Sequence, residues 1–245
     1  MQTPTVFQFQ AAFLALLRAL PAAYPTLRQG LTQVLAPFSA LPSPGEAQWS
    51  NEITLSTAPI DQLIYRIPAL LLDTGMTSTG MTGTGMTGTA PYIPPTDVAL
   101  QEDLDQLRGV VALLLDRSSF SHGAGPTPWS AALPPQSPVY PSPADPPPAD
   151  QKTPLTAALT ALRTVTENAD LTVTLAQNLA QDSGCDGAMA GAIAGFLVGL
   201  SNGTPYSPKT EDERALLPLS QQLFNVWAGL THTPQSPLSI TPYTP

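Results

Sequence analysis

The sequence predicts an all-α protein, a compact helical bundle interrupted by low-complexity and proline-rich inserts. Three observations carry that prediction. Apolar residues recur at helical spacing in one stretch after another. The period-two alternation of a half-buried strand is convincing nowhere along the chain. Prolines number 29 in 245 residues, against an average usage of about 5%. Most stand at the ends of apolar stretches or cluster between them.

The elements follow in chain order. Residues 6–20, VFQFQAAFLALLRAL, combine apolar residues with helix formers and stop at Pro21, which predicts a buried helix. Residues 25–36 place Leu27, Leu31, Val34 and Leu35 on one helical face, closed by Pro37. Pro42, Pro44 and Gly45 mark residues 41–51 as loop. In PIDQLIYRIPALLL, residues 59–72, Pro59 and Asp61 suit a helix start. Pro68 predicts a break near Ile67 or two short helices, with a strand over LIYRI as the alternative.

TGMTSTGMTGTGMTGTAP follows at residues 74–91, with a unit close to Gly-Met-Thr-x-Thr. It carries no charge and can bury little, so it predicts a flexible insert over residues 74–95. Its Met76, Met81 and Met86 have no neighbouring His or Cys, a poor set for a soft metal. A helix is predicted over 97–117, with Val98, Leu104, Leu107, Val111, Leu114 and Leu115 at helical spacing. Glu102, Asp103 and Asp105 lie in its first half, where the helix dipole favours anions, and read as a solvated face. Residues 123–150 hold ten prolines and predict an extended linker, the insert running over 123–152. Such a segment can also dock in an aromatic groove of a partner protein.

Thr153-Pro154 open a helix over 154–168 with Leu155, Ala158, Leu159, Leu162 and Val165 on one face. Residues 169–181 form a second helical segment carrying Val173, Leu175, Ala176 and Leu179, and SGCD at 183–186 makes a turn. GAMAGAIAGFLVG, residues 187–199, places glycine at every fourth position. After a loop at 201–212, a last helix covers about 212–230, with Leu216, Leu219, Leu223, Val226 and Trp227 inward. Residues 1–230 thus read as one helical domain with two inserts, and 231–245 as a proline-rich tail.

An interior helical glycine costs about 1 kcal/mol relative to alanine, so a row of four must be repaid by packing. The apolar run Gly187–Leu200 is 14 residues, short of the roughly 17–25 needed to span a membrane. The sequence therefore predicts a core helix whose glycine stripe admits a neighbouring helix closely.

The net charge of −9, with nine basic residues, argues against nucleic acid and anionic membrane surfaces as partners. Cys185 is the one cysteine, which rules out an intramolecular disulfide and a Cys-based zinc site. A reducing, cytoplasmic setting fits. No basic region precedes the first apolar run, so the start does not read as a signal peptide.

Residues 155–203 resemble the C-terminal part of the ADP-ribosylglycohydrolases. The small-residue helix of that family reads roughly Ala-Ile-Ala-Gly; here AIAG is 192–195, continued by GFLVGL. TVTENADLTVTLAQNLAQDSG, residues 164–184, stands where the family helix leads into a Gly-Asp-x-Asp-Thr signature. FQAAFLALLRAL, residues 9–20, is similar to the family's opening helix. The resemblance implies an all-α fold whose signature acids hold a pair of magnesium ions. On that register Asp186 falls on the first acid, Ala188 on the second and Met189 on the threonine. The opening-helix glycines become Ala11 and Ala15 and its aspartate Leu20. Thr96-Asp97, followed by Val98 and Ala99, is the nearest remnant of a Thr-Asp-Asp-Thr motif. Magnesium needs near-octahedral oxygen coordination, and a paired site needs several carboxylates. Ala188, Met189 and Leu20 supply none. The resemblance implies a scaffold kept and a catalyst lost, a pseudoenzyme.

Asp186 is the candidate metal ligand, as the remnant of that signature. Asp182, four residues earlier, would join it in a mononuclear site if one helix ran through both. The Ser183-Gly184 turn argues against this, and a helix N-cap is the favoured reading of Asp186. Other chemistry fares poorly. His122 and His232 stand in loop-like sequence, Cys185 reads as packing, and Trp49, Trp129 and Trp227 as anchors. No nucleophile elbow, phosphate loop or HExxH helix occurs. Three functions follow: a non-catalytic ADP-ribosylglycohydrolase-like protein that binds a protein or ligand and needs no cofactor; an active magnesium-dependent hydrolase using Asp186 with Asp97, Glu102 or Asp103; or an unrelated helical adaptor whose proline-rich linker binds a partner.

Overall fold

A computed structural model describes residues 5–21, 24–36, 59–78, 98–115, 153–165, 168–203 and 207–228. Among them every element is an α-helix: α1 (Val6–Ala19), α2 (Pro25–Leu35), α3 (Pro59–Ser78), α4 (Val98–Leu115), α5 (Pro154–Thr164), α6 (Ala169–Asp182), α7 (Gly187–Asn202) and α8 (Glu211–Trp227). The all-α expectation holds for these residues, which contribute no strand. No helix among them is long and apolar enough to cross a membrane.

The glycine helix α7 lies at the centre. Every residue from Met189 to Leu200 is buried. α1 lies along it over the longest contact, α6 and α5 flank it, and α4 touches it. α8 packs across α1 and reaches α2 and α3, while α3 also carries α4. Aromatic rings fix two of these crossings. Phe9 of α1 meets Phe224 and Trp227 of α8 with ring centroids 5.3 and 5.5 Å apart. Phe13 of α1 meets Phe196 of α7 edge-on at 5.8 Å. Such pairs add about 0.5–1.5 kcal/mol beyond area burial.

The glycine row serves two neighbours. A Cβ on Gly199 would lie 2.5 Å from the Ala11 carbonyl oxygen, and one on Gly195 2.8 Å from that of Ala15. Both meet α1 backbone. A Cβ on Gly191 would instead lie 2.7 Å from the Gln177 side chain of α6, and one on Gly187 2.9 Å from the Gln177 carbonyl oxygen. The cause is helical geometry. At 3.6 residues per turn, each four-residue step overshoots a full turn by about 40°, so the row winds from the α6 side to the α1 side. The burial it permits repays the lost propensity.

Local chemistry sets the ends. The α6–α7 connection is a Schellman turn: Cys185 N–H bonds to the Ala180 carbonyl at 2.8 Å and Gly184 N–H to that of Gln181 at 3.0 Å. It requires the left-handed conformation at Gly184, which has φ 75°. Thr5 and Gln8 form a capping box at the start of α1. Asn168 caps α6 through Asp170 and Leu171 N–H, and Thr153 caps α5.

Several expectations are corrected. α3 is one continuous helix through Pro68, neither broken near Ile67 nor a strand at LIYRI. A helix-interior proline costs about 3 kcal/mol, but Leu63, Ile64, Ile67, Leu70 and Leu71 are buried on both sides of it. Full burial of one such side chain is worth about 1.5–3 kcal/mol, so the packed face outweighs the lost bond. The helix also runs to Ser78 and takes the first residues of the expected 74–95 insert. α4 is described over Val98–Leu115, within the expected range, but Val98 is 72% exposed where the spacing placed it inward; it stands in the first described turn, and Leu100 is buried instead. α5 stops at Thr164, with Val165 the half-buried C-cap. α8 starts at Glu211, and of its expected inward residues only Leu216 and Leu223 are fully buried. The 41–51 loop, the insert beyond Ser78, Thr96-Asp97, the 123–152 linker, the histidines, Trp49, Trp129 and the 231–245 tail lie outside the described residues.

Candidate functional site at the start of the glycine helix

The turn before α7 is where the sequence concentrates its candidate chemistry. Its backbone delivers Asp186 in an extended conformation, φ −71° and ψ 106°, the geometry of an N-cap. One carboxylate oxygen, Oδ1, accepts from Ala188 N–H at 2.9 Å and Met189 N–H at 3.2 Å. The other, Oδ2, accepts from the Tyr24 hydroxyl at 2.9 Å. Tyr24 is itself the residue before α2, whose first position is Pro25. One carboxylate therefore satisfies the leading amides of the central helix and fastens the start of α2 to it.

Ala188, Met189 and Leu20 carry no side-chain oxygen. Met189 is fully buried in the core and Leu20 is the buried C-cap of α1. Asp182 is the exposed last residue of α6, and the Schellman turn separates it from Asp186. No single helix passes through both, which removes the geometry required for a mononuclear pair. Asp103 is engaged elsewhere, accepting from the Thr153 hydroxyl at 3.2 Å at the head of α5. Glu102 is exposed on α4. Among the described residues no group of three or more His, Cys, Asp or Glu is placed to hold a metal ion. Cys185 is half-buried and packs against the core.

A second polar centre escaped the sequence reading. Glu213, 4% exposed, accepts from Arg18 Nε at 3.0 Å and Nη2 at 3.1 Å, a two-pronged ion pair between α1 and α8. It also accepts from Lys209 N–H, while its own N–H donates to Thr210 Oγ1 at 3.3 Å. Hydrogen bonding from Arg18 is the main cause that holds its carboxyl below the usual glutamate range, against the upward push of burial. Beside it Arg28 donates to the Leu17 and Leu20 carbonyls at 3.1 and 2.9 Å and reaches Asp212 at 3.3 Å. A local signal was present: Thr210-Glu211-Asp212-Glu213 has capping-box spacing. The glutamate reaches one residue further back than the motif predicts. Its arginine partner lies 195 positions away, beyond any local pattern.

Compared with known proteins, the chain matches no family model, no curated protein and no solved structure.

Proposed function

We propose that this chain is a non-catalytic helical protein, with a scaffold resembling the ADP-ribosylglycohydrolases, that acts by binding rather than by hydrolysis. The observation that supports the reading most directly is the state of Asp186. The acid at the first signature position spends both oxygens on the α7 cap and on Tyr24. With two bonds on Oδ1 and one on Oδ2 this carboxylate keeps a single acceptor site of about four, and the positions meant to share the charge, Ala188 and Leu20, supply no side-chain oxygen.

The test is incubation with magnesium and ADP-ribosylated arginine or serine peptides. No release of ADP-ribose is expected, and magnesium is expected to leave the thermal midpoint unchanged, since a cation bound only by the folded state would raise it. Release of ADP-ribose that is abolished in Asp186→Ala establishes the hydrolase reading instead, and a magnesium-dependent rise in midpoint abolished by the same substitution overturns the loss of the cation site.

A second reading rests on the linker sequence. Pro135–Pro138, Pro138–Pro141 and Pro143–Pro146 are three PxxP runs within twelve residues, the spacing that aromatic-grooved domains recognise in polyproline peptides. On this reading the helical body is an adaptor. Deletion of residues 125–149 is expected to abolish capture by an array of such domains and leave helical content intact. Unchanged capture rejects it.

A further inference from the structure

We draw no further inference here: the strongest candidate, the aromatic cluster of Phe9, Phe224 and Trp227 between α1 and α8, in which the Trp227 indole nitrogen is buried without a hydrogen-bond partner, carries nothing because nothing in the structure shows what covers that face.

Discussion

Two carboxylates hold this fold together at single-residue scale, by different means. Asp186 caps a helix, and capping by a side-chain oxygen is typically worth about 1 kcal/mol. Its bond to Tyr24 adds a net contribution of about 0.5–1.5 kcal/mol. Asp186→Ala is therefore expected to cost about 1.5–2.5 kcal/mol in urea unfolding, and Asp186→Asn clearly less, because asparagine keeps an acceptor for the amides. Equal losses in the two variants would show that the charge, not the cap, is what α7 requires. Glu213 works through ionisation. Its folded-state pKa is depressed, so the stability it contributes is fully present above the ordinary glutamate value of about 4.3 and is lost as pH falls through the lower folded value. Glu213→Gln is expected to lower stability at pH 7 and to flatten the acid limb of the stability curve. An acid limb identical to that of the parent protein would mean that other carboxylates govern it. The residue scale also shows the limit of a linear reading. Asp186 as a cap was legible, because the cap and the amides it serves lie within three positions of each other. Tyr24 on Asp186 spans 162 positions, and no spacing rule encodes a partner so distant.

At the scale of elements, the glycine row and Pro68 teach opposite lessons. The row was legible as a packing device, because glycines cannot persist at such spacing in a helix without a close neighbour. That it divides between two neighbours was not, since the sequence does not say which helices flank α7. The division yields a graded expectation. A methyl at Gly199 would press on α1 backbone at 2.5 Å, and backbone cannot step aside. A methyl at Gly191 meets only the Gln177 side chain, which can swing away. Against either clash stands about 1 kcal/mol of gained helix propensity. Gly199→Ala should thus destabilise by about 1–3 kcal/mol, the usual range for overpacking, whereas Gly191→Ala should be near neutral in the same unfolding assay. The reverse order would mean that α1 does not approach α7 along Gly199. Pro68 misled because the rule against interior proline is local and the energy that overrides it is not. The residues flanking Pro68 keep one apolar face through the proline, and that face is satisfied only once α2, α4 and α8 are in place.

For the molecule as a whole, the arrangement predicts that α7 is the last element to give way. Its backbone is enclosed by α1, α5 and α6, and its side chains are buried without interruption from Met189 to Leu200. α4 differs, with Val98 and Leu113 exposed and Gly109 open to empty space. Amides open locally where few buried contacts oppose them and globally where many do. Native-state hydrogen exchange is therefore expected to show the central amides of α7 exchanging only through global unfolding, with a denaturant dependence equal to that of the whole molecule. Amides of α4 should exchange through smaller openings, with a weaker dependence. Because α1 closes one flank of α7 and is itself clasped by α8 through Arg18 and Glu213, Glu213→Gln should lower the protection of α7 by the same free energy as it lowers global stability. Its effect on the local openings of α4 should be smaller. If α7 exchanged as readily as α4, or ignored the loss of the clasp, the glycine helix would not be the common support of the bundle. Its close packing against α1 would then need another reason.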